Sequence, residues 1–268
     1  MISLRIEKAK GSTGLEPYFQ IDGNTVIASP YCAGPWDPTM QHGGAVSGLL
    51  THLVDTHPSP VPMQLSRLTI DLKRPVPMGE IDVQSEITRE GRNIQTLAIT
   101  LIAGGKEVVS ANALRIREAE QLVPEKVQPP ANPFEPLTKP VPSIFGEGFN
   151  EGLTVREASG KHPHMRTAVW MHHERPFFAD HPTTPLMRAS VVGDYSNGLG
   201  SRLDFKQWTY INADLTLHFA RRPVGEWIML TANAWMDQNG SGISFSELAD
   251  EQGFFGRAVQ SLVIAKRN

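Results

Sequence analysis

The chain has 268 residues, 40% hydrophobic and 20% charged, with 25 Lys and Arg against 28 Asp and Glu and a net charge of −3. That balance excludes a disordered tail, which needs few apolar residues and a high net charge, and it argues against nucleic acid as a partner, because phosphate binding wants a basic surface. The single cysteine, Cys32, excludes a disulfide within the chain and points to a reducing compartment.

Residues 1–17 alternate in polarity, carry charge early and lack the apolar core of a secretion signal. No run approaches the roughly 18 apolar residues of a membrane span, so a cytoplasmic protein with no membrane span is expected. The first clear element is a helix over about 44–55, where Ala45, Val46, Leu49, Leu50, Leu53 and Val54 recur at helical spacing. Pro58 and Pro60 end it. Strands are predicted at 64–73, 80–88, 94–103 and 107–117. Ile81, Val83 and Ile87 alternate with polar residues, as in a sheet buried on one face.

Composition shifts at 122–146, with seven prolines between Pro124 and Pro142. Proline fixes φ and has no N–H, so this segment is expected to be an extended linker between residues 1–121 and 147–268. The second half offers a less regular helix at 185–200, then strands at 210–220, 226–236, 241–249 and 255–265. The halves repeat. Leu68 to Pro75 with Gly79-Glu80 matches Leu215 to Pro223 with Gly225-Glu226, each an alternating run closed by Arg-Pro and reopened by Gly-Glu. Each half is thus one helix followed by an antiparallel sheet, which covers its apolar face with that helix.

This pattern resembles the double hotdog, an α+β fold of two fused repeats, each a sheet wrapped around a central helix. Gln41-His42-Gly43-Gly44 resembles the start of the central helix in hotdog acyl-CoA thioesterases. Gly193-Asp194-Tyr195 resembles the Asp-bearing helix of the thioesterase II family. Asn212-Ala213-Asp214 falls where that family has a Thr or Ser two places before an Asp, and Val259-Gln260 where it has a Gln on the last strand. The stretch from Asp194 to Trp227 is similar to a branch of uncharacterised thioesterase-like proteins. The resemblance covers roughly 18–117 and 185–265 and leaves 145–180 unmatched.

The resemblance implies hydrolysis of acyl-CoA thioesters without a cofactor or metal. Asp194 would activate water, with Asn212 and Gln260 as its partners. Asn212 departs from the family hydroxyl, although an amide both donates and accepts. Equally, an Asp among Gly193, Ser196, Asn197 and Gly198 fits a plain turn. His42, Gly43 and Gly44 are candidates for binding substrate, because free N–H groups at a helix start favour the negative charge a thioester oxygen gains. They also fit a tight turn alone. Asn197-Gly198 stands as a degenerate counterpart of that segment. Trp36 either packs or lines an acyl pocket. Arg74, Arg221 and Arg222 end equivalent strands, where coenzyme A phosphates or plain solvent would meet them.

Two other readings stay open. Asp37 and His42 stand five apart, the spacing of hotdog enoyl-CoA hydratases, but the Asn-Pro pair of those enzymes is missing. A non-catalytic acyl-binding protein would keep the fold and lack turnover. His162, His164, His172, His173 and His181 cluster in sequence without a zinc spacing. The fused halves satisfy within one chain the pairing that single hotdogs make between chains, and further homodimerisation is an expectation.

Overall fold

The protein is described by a computed structural model covering residues 14–141, 147–158 and 167–267. The first half holds β1 (Phe19–Asp22), β2 (Thr25–Ala28), α1 (Gly43–Thr56), β3 (Met63–Leu72), β4 (Gly79–Glu90), β5 (Ile94–Ala103) and β6 (Lys106–Arg117). The second holds β7 (Pro136–Val141), β8 (Leu153–Ala158), β9 (Thr167–His173), α2 (Pro185–Asp194), α3 (Ser196–Gly200), β10 (Trp208–Asn212), β11 (Asp214–Phe219), β12 (Ile228–Met236), β13 (Ser241–Asp250) and β14 (Gly253–Lys266). The double hotdog is what these elements build: a long antiparallel sheet with one central helix per half.

The strand order is β1-β2-β4-β5-β6-β3-β11-β14-β13-β12-β9-β8-β7, with β10 paired to β14. The halves meet edge to edge through β3 and β11. These are the two strands that carry the sequence repeat. Thr69 stands opposite Thr216 at the centre of the register, with their hydroxyls 3.4 Å apart. Pairing the two repeat strands removes an open edge from each half, an edge that would otherwise invite association.

The helices are buried almost all round. Ten residues of α1 and eight of α2 are buried, so each must be covered by sheet on one side and by its partner helix on the other. Small residues make that contact. Ser47 Oγ donates to the Ser190 carbonyl at 3.1 Å, and Thr51 Oγ1 bonds Ser190 Oγ at 2.7 Å. Leu50, Leu68, Leu97, Phe177 and Leu217 are among the side chains fully removed from water.

Three boundaries differ from the sequence pattern, and each has a cause. The helix expected at 185–200 is broken at Tyr195 into α2 and α3. Gln260 Nε2 takes the Asp194 carbonyl at 3.1 Å, and the Gly198 N–H, four residues on, turns instead to Asn197 Oδ1 at 2.7 Å. The strand expected at 210–220 is two strands. Between the pairs Asn212–Leu262 and Thr216–Val259 the chain uses four steps against three on β14, the signature of a bulge. In the Pro-rich segment, residues 136–141 form β7 at one end of the sheet, the position that tolerates proline. The strands β1, β2, β8 and β9 were not anticipated by the pattern.

No helix among the described residues is long and apolar enough to cross a membrane. Gly48 tests the helix contact, because a Cβ there would lie 2.3 Å from Phe177 Cε1 and 3.1 Å from Val191 Cγ2. Overpacking of a closed core costs about 1–3 kcal/mol. Gly48→Val is therefore expected to lower the melting temperature by several degrees in a calorimetric scan; an unchanged transition would show that the helices are not tightly apposed.

Candidate active site

The site is built from both halves. His42 is the N-cap of α1, held extended by its own N–H to the Cys32 carbonyl at 2.8 Å. Its ring Nδ1 accepts the Gly44 N–H at 2.9 Å. The Gly43 N–H meets no protein acceptor among the described residues, so one donor of the helix start stays open.

Asp194, the last residue of α2, lies against that start. An added Cβ on Gly43 would lie 2.5 and 2.8 Å from the two carboxylate oxygens. Only glycine lets the carboxylate come so close. Asp194 Oδ1 accepts from Asn212 Nδ2 at 3.1 Å and from Gln260 Nε2 at 3.3 Å. Its Oδ2 faces His42 Nδ1 at 3.2 Å. Asp194 and Gln260 are buried, and Asn212 is nearly so. A buried charge is costly unless it is paired or hydrogen-bonded, and here two amides and the positive end of α1 meet it.

The bulge after β10 sets Asn212. Tyr210 and Asn212 face inward on β10, and Leu215, Leu217 and Phe219 face inward on β11, so the parity shifts by one residue at the bulge. Gln260 is inward on β14 between Ala258 and Leu262. Its Oε1 accepts from Asn197 N–H at 3.1 Å and Ser244 Oγ at 2.7 Å, which fixes the direction of its amide.

Asp194, Asn212, His42 and Gly43 line a cleft of about 1300 Å³, and Gln260 is buried against Asp194 outside that lining. Trp36, Phe205 and Tyr210 form one aromatic wall, with Trp36 and Phe205 ring centroids 4.7 Å apart and the Arg267 guanidinium 4.4 Å from the Phe205 ring. Lys73 and Arg74 stand at the rim, where Lys73 bonds Glu107 at 2.6 Å.

Asp194, Asn212, Gln260, His42 and Gly43 thus converge, and Trp36 lines the same cleft. Gly44 is one step inside the helix, and its N–H is spent on His42. Asn197-Gly198 serves the same site by holding Gln260. Asp37 also lines the cleft, but it is exposed and its Oδ1 accepts both the N–H and the hydroxyl of Thr39, which hold its carboxyl below the usual range. Arg221 instead makes a two-pronged pair with buried Asp250, at 2.7 and 2.6 Å, and Arg222 pairs with Glu118. Cys32 is buried, and burial pushes its thiol pKa up, so it is not a nucleophile.

Asn150 and Tyr195 also line the cleft, and buried Phe149 packs against the His42 ring. The His42 ring lies between Phe149 and Tyr195, with centroids 5.0 and 5.1 Å away. Tyr195 donates to Asn150 Oδ1 at 2.8 Å and lies 3.3 Å from His173 Nε2. Burial, first, and the nearby His42 hold the His173 pKa well below its usual value, so it is neutral. Phe149 and Asn150 come from the stretch that matched no pattern, and no local signal in it marks them. His172 stacks on Trp227, while His162 and His164 lie outside the described residues. No group of three or more His, Cys, Asp or Glu among the described residues is placed to hold a metal ion.

The mirror position across the repeat is not a second site. His52 is the tenth residue of α1, as Asp194 is of α2. Ala113 follows the partner of Thr69, as Gln260 follows the partner of Thr216. His52 packs on Phe178, with ring centroids 4.2 Å apart, and on His181 at 5.0 Å.

Residues 32–116 match the acyl-CoA thioesterase N-terminal domain, and residues 122–264 match the acyl-CoA thioesterase C-terminal domain. Among curated protein sequences none matches the chain. Among solved structures, a conserved protein of unknown function with a hot dog fold from Alicyclobacillus acidocaldarius is 16% identical, with a TM-score of 0.68 over 93% of this chain and 96% of that one. An acyl-CoA thioesterase II of Mycobacterium marinum is 16% identical, with a TM-score of 0.64 over 93% and 94%. The tesB protein of Mycobacterium avium subsp. paratuberculosis is 14% identical, with a TM-score of 0.62 over 92% and 96%. At these identities the likeness is one of fold.

His52 gives a test on the mirror side. Burial, first, and His181 lower its pKa from 6.5 to about 4, against a smaller opposing effect of Asp55. Between those values the unfolded chain binds more protons than the folded one, so stability falls as pH drops through the window. His52→Gln is expected to lose less stability than wild type between about pH 7 and pH 5 in urea titrations. Equal losses in the two proteins would mean that His52 is charged when folded.

Proposed function

The chain belongs to the acyl-CoA thioesterase family, with the N-terminal and C-terminal domains of that family in one polypeptide, and we propose that it hydrolyses acyl-CoA thioesters by water attack at Asp194. The observation that carries this reading is the meeting of Asp194 with the open Gly43 N–H and Asn212 in the lining of one cleft, with buried Gln260 bonded to the same carboxylate.

Thioester hydrolysis needs a base for the attacking water and a positive site for the oxygen that becomes an anion. Asp194 supplies the base. Two amide N–H groups occupy Oδ1, which leaves Oδ2 as the oxygen to take the water proton. Asn212 and Gln260 act as positioning residues that hold the carboxylate. The Gly43 N–H, at the positive end of α1, receives the carbonyl oxygen of the substrate. No metal or redox group is required by this chemistry. The aromatic wall of Trp36, Phe205 and Tyr210 supplies apolar contact to the acyl-CoA, and Lys73, Arg74 and Arg267 are the cations within reach of its phosphates. The fit of Asp37 into its own turn with Thr39 favours hydrolysis over hydration by Asp37 and His42.

Release of free thiol from acyl-CoAs of graded chain length tests the reading. Wild type is expected to turn over at least one class, and Asp194→Asn, with its fold intact by circular dichroism, is expected to lose about 100-fold or more. Binding of acyl-CoA with no thiol release from any of them would leave a binding protein instead. Gly43→Ala probes the carboxylate position, because its Cβ would push both oxygens away. A shift of about 1 Å can cost roughly 100-fold in turnover, and a loss of that order is expected while circular dichroism shows the fold retained. Full activity in this variant would detach Gly43 from the chemistry.

A further inference from the structure

We propose that His42 is a catalytic residue: its Nε2–H protonates the departing thiolate, and its Nδ1 recovers the proton that Asp194 took from water. The inference rests on the thioesterase reading of the site and adds a step to it.

Three observations carry it. First, the tautomer is set by the backbone. The Gly44 N–H can only donate, and it lies 2.9 Å from His42 Nδ1, so Nδ1 is the acceptor and the ring proton is on Nε2. Second, Nε2 is open. It has no hydrogen-bond partner among the described residues and is not enclosed, and His42 lines the cleft. The ring packs against both Phe149 and Tyr195, with centroids 5.0 and 5.1 Å away. Third, Asp194 Oδ2 lies 3.2 Å from the same Nδ1. Once Oδ2 carries the proton taken from water, it is placed to donate that proton toward Nδ1.

The atoms balance. Water oxygen bonds the thioester carbon as one of its protons passes to Asp194 Oδ2, and the carbonyl electron pair moves to the oxygen at Gly43 N–H. The carbonyl then re-forms and the C–S bond breaks with its pair on sulfur. Sulfur takes the Nε2 proton while Nδ1 lets go of the Gly44 N–H and takes the proton from Oδ2. Carboxylic acid and thiol leave, Asp194 is again a carboxylate, and exchange with water in the cleft restores the ring tautomer.

The leaving group provides the test. An acyl-CoA expels a weakly acidic alkyl thiol and needs the acid. The matching acyl ester of thionitrobenzoate expels an acidic aryl thiol and does not. His42→Asn keeps an N-cap acceptor for α1, since Asn is a favoured cap, and removes the relay. It is expected to lose about 100-fold in kcat on acyl-CoA and to keep nearly the wild-type rate on the aryl ester, while Asp194→Asn loses both. Equal loss on both esters in folded His42→Asn and His42→Gln, or no loss on either, overturns the proposal. In wild type alone, a steep fall of rate with rising thiol pKa across a leaving-group series also overturns it. If wild type hydrolyses neither ester, the thioesterase reading itself fails, and the inference falls with it.

Discussion

The rest of the site depends on one buried charge. The Asp194 carboxylate sits against the first turn of α1, out of water, and its burial has to be offset locally. That requirement explains features that look unrelated in sequence. Gly43 has no side chain because the carboxylate occupies the place of its Cβ. The helix breaks after Asp194 because Gln260 takes the carbonyl that would have continued it. The strand bulges after Asn212 because an inward amide is needed there and an inward leucine at Leu215. Each is a departure from regular structure, and all three lie within hydrogen-bond reach of one carboxylate or next to a group that is.

The same constraint explains why the two halves must pair and why they differ. The carboxylate comes from α2 and the helix start from α1, so neither half has a site alone. The repeat centre at Thr69 and Thr216 would generate a second, mirror site if both halves kept the same residues. They do not. His52 and Ala113 fill the mirror positions, and burial holds His52 uncharged near neutral pH. A neutral ring packed on Phe178 needs no amide partners, so the Gln and Asn of the other side are unnecessary there.

How much of this was legible from the residues depends on whether the signal was local. The α1 stripe from Ala45 to Val54 and the strands from β3 to β6 follow from periodicity, and the repeat Leu68–Pro75 against Leu215–Pro223 follows from comparison of the halves. Asp194, Asn212 and Gln260 were reached through resemblance, and no spacing rule brings residues 18 and 66 positions apart together. The break at Tyr195 and the bulge at Ala213 were missed because tertiary hydrogen bonds override propensity at both points. Phe149 and Asn150 follow a short stretch without periodicity and reach the site only through topology. The strands β1 and β2, of four residues each, are too short to show alternation.

The departure at Asn212 has a consequence for which oxygen of Asp194 works as the base. A hydroxyl in that position donates one proton and can also receive one from the attacking water. The amide of Asn212 commits its N–H to Oδ1, and Gln260 commits another to the same atom. Asn212 and Gln260 therefore hold Oδ1, while Oδ2 receives no hydrogen bond from either amide. Under the proposed mechanism the oxygen left for the water proton is the one that faces His42. The two amides on one oxygen and the ring beside the other then act as parts of one proton path.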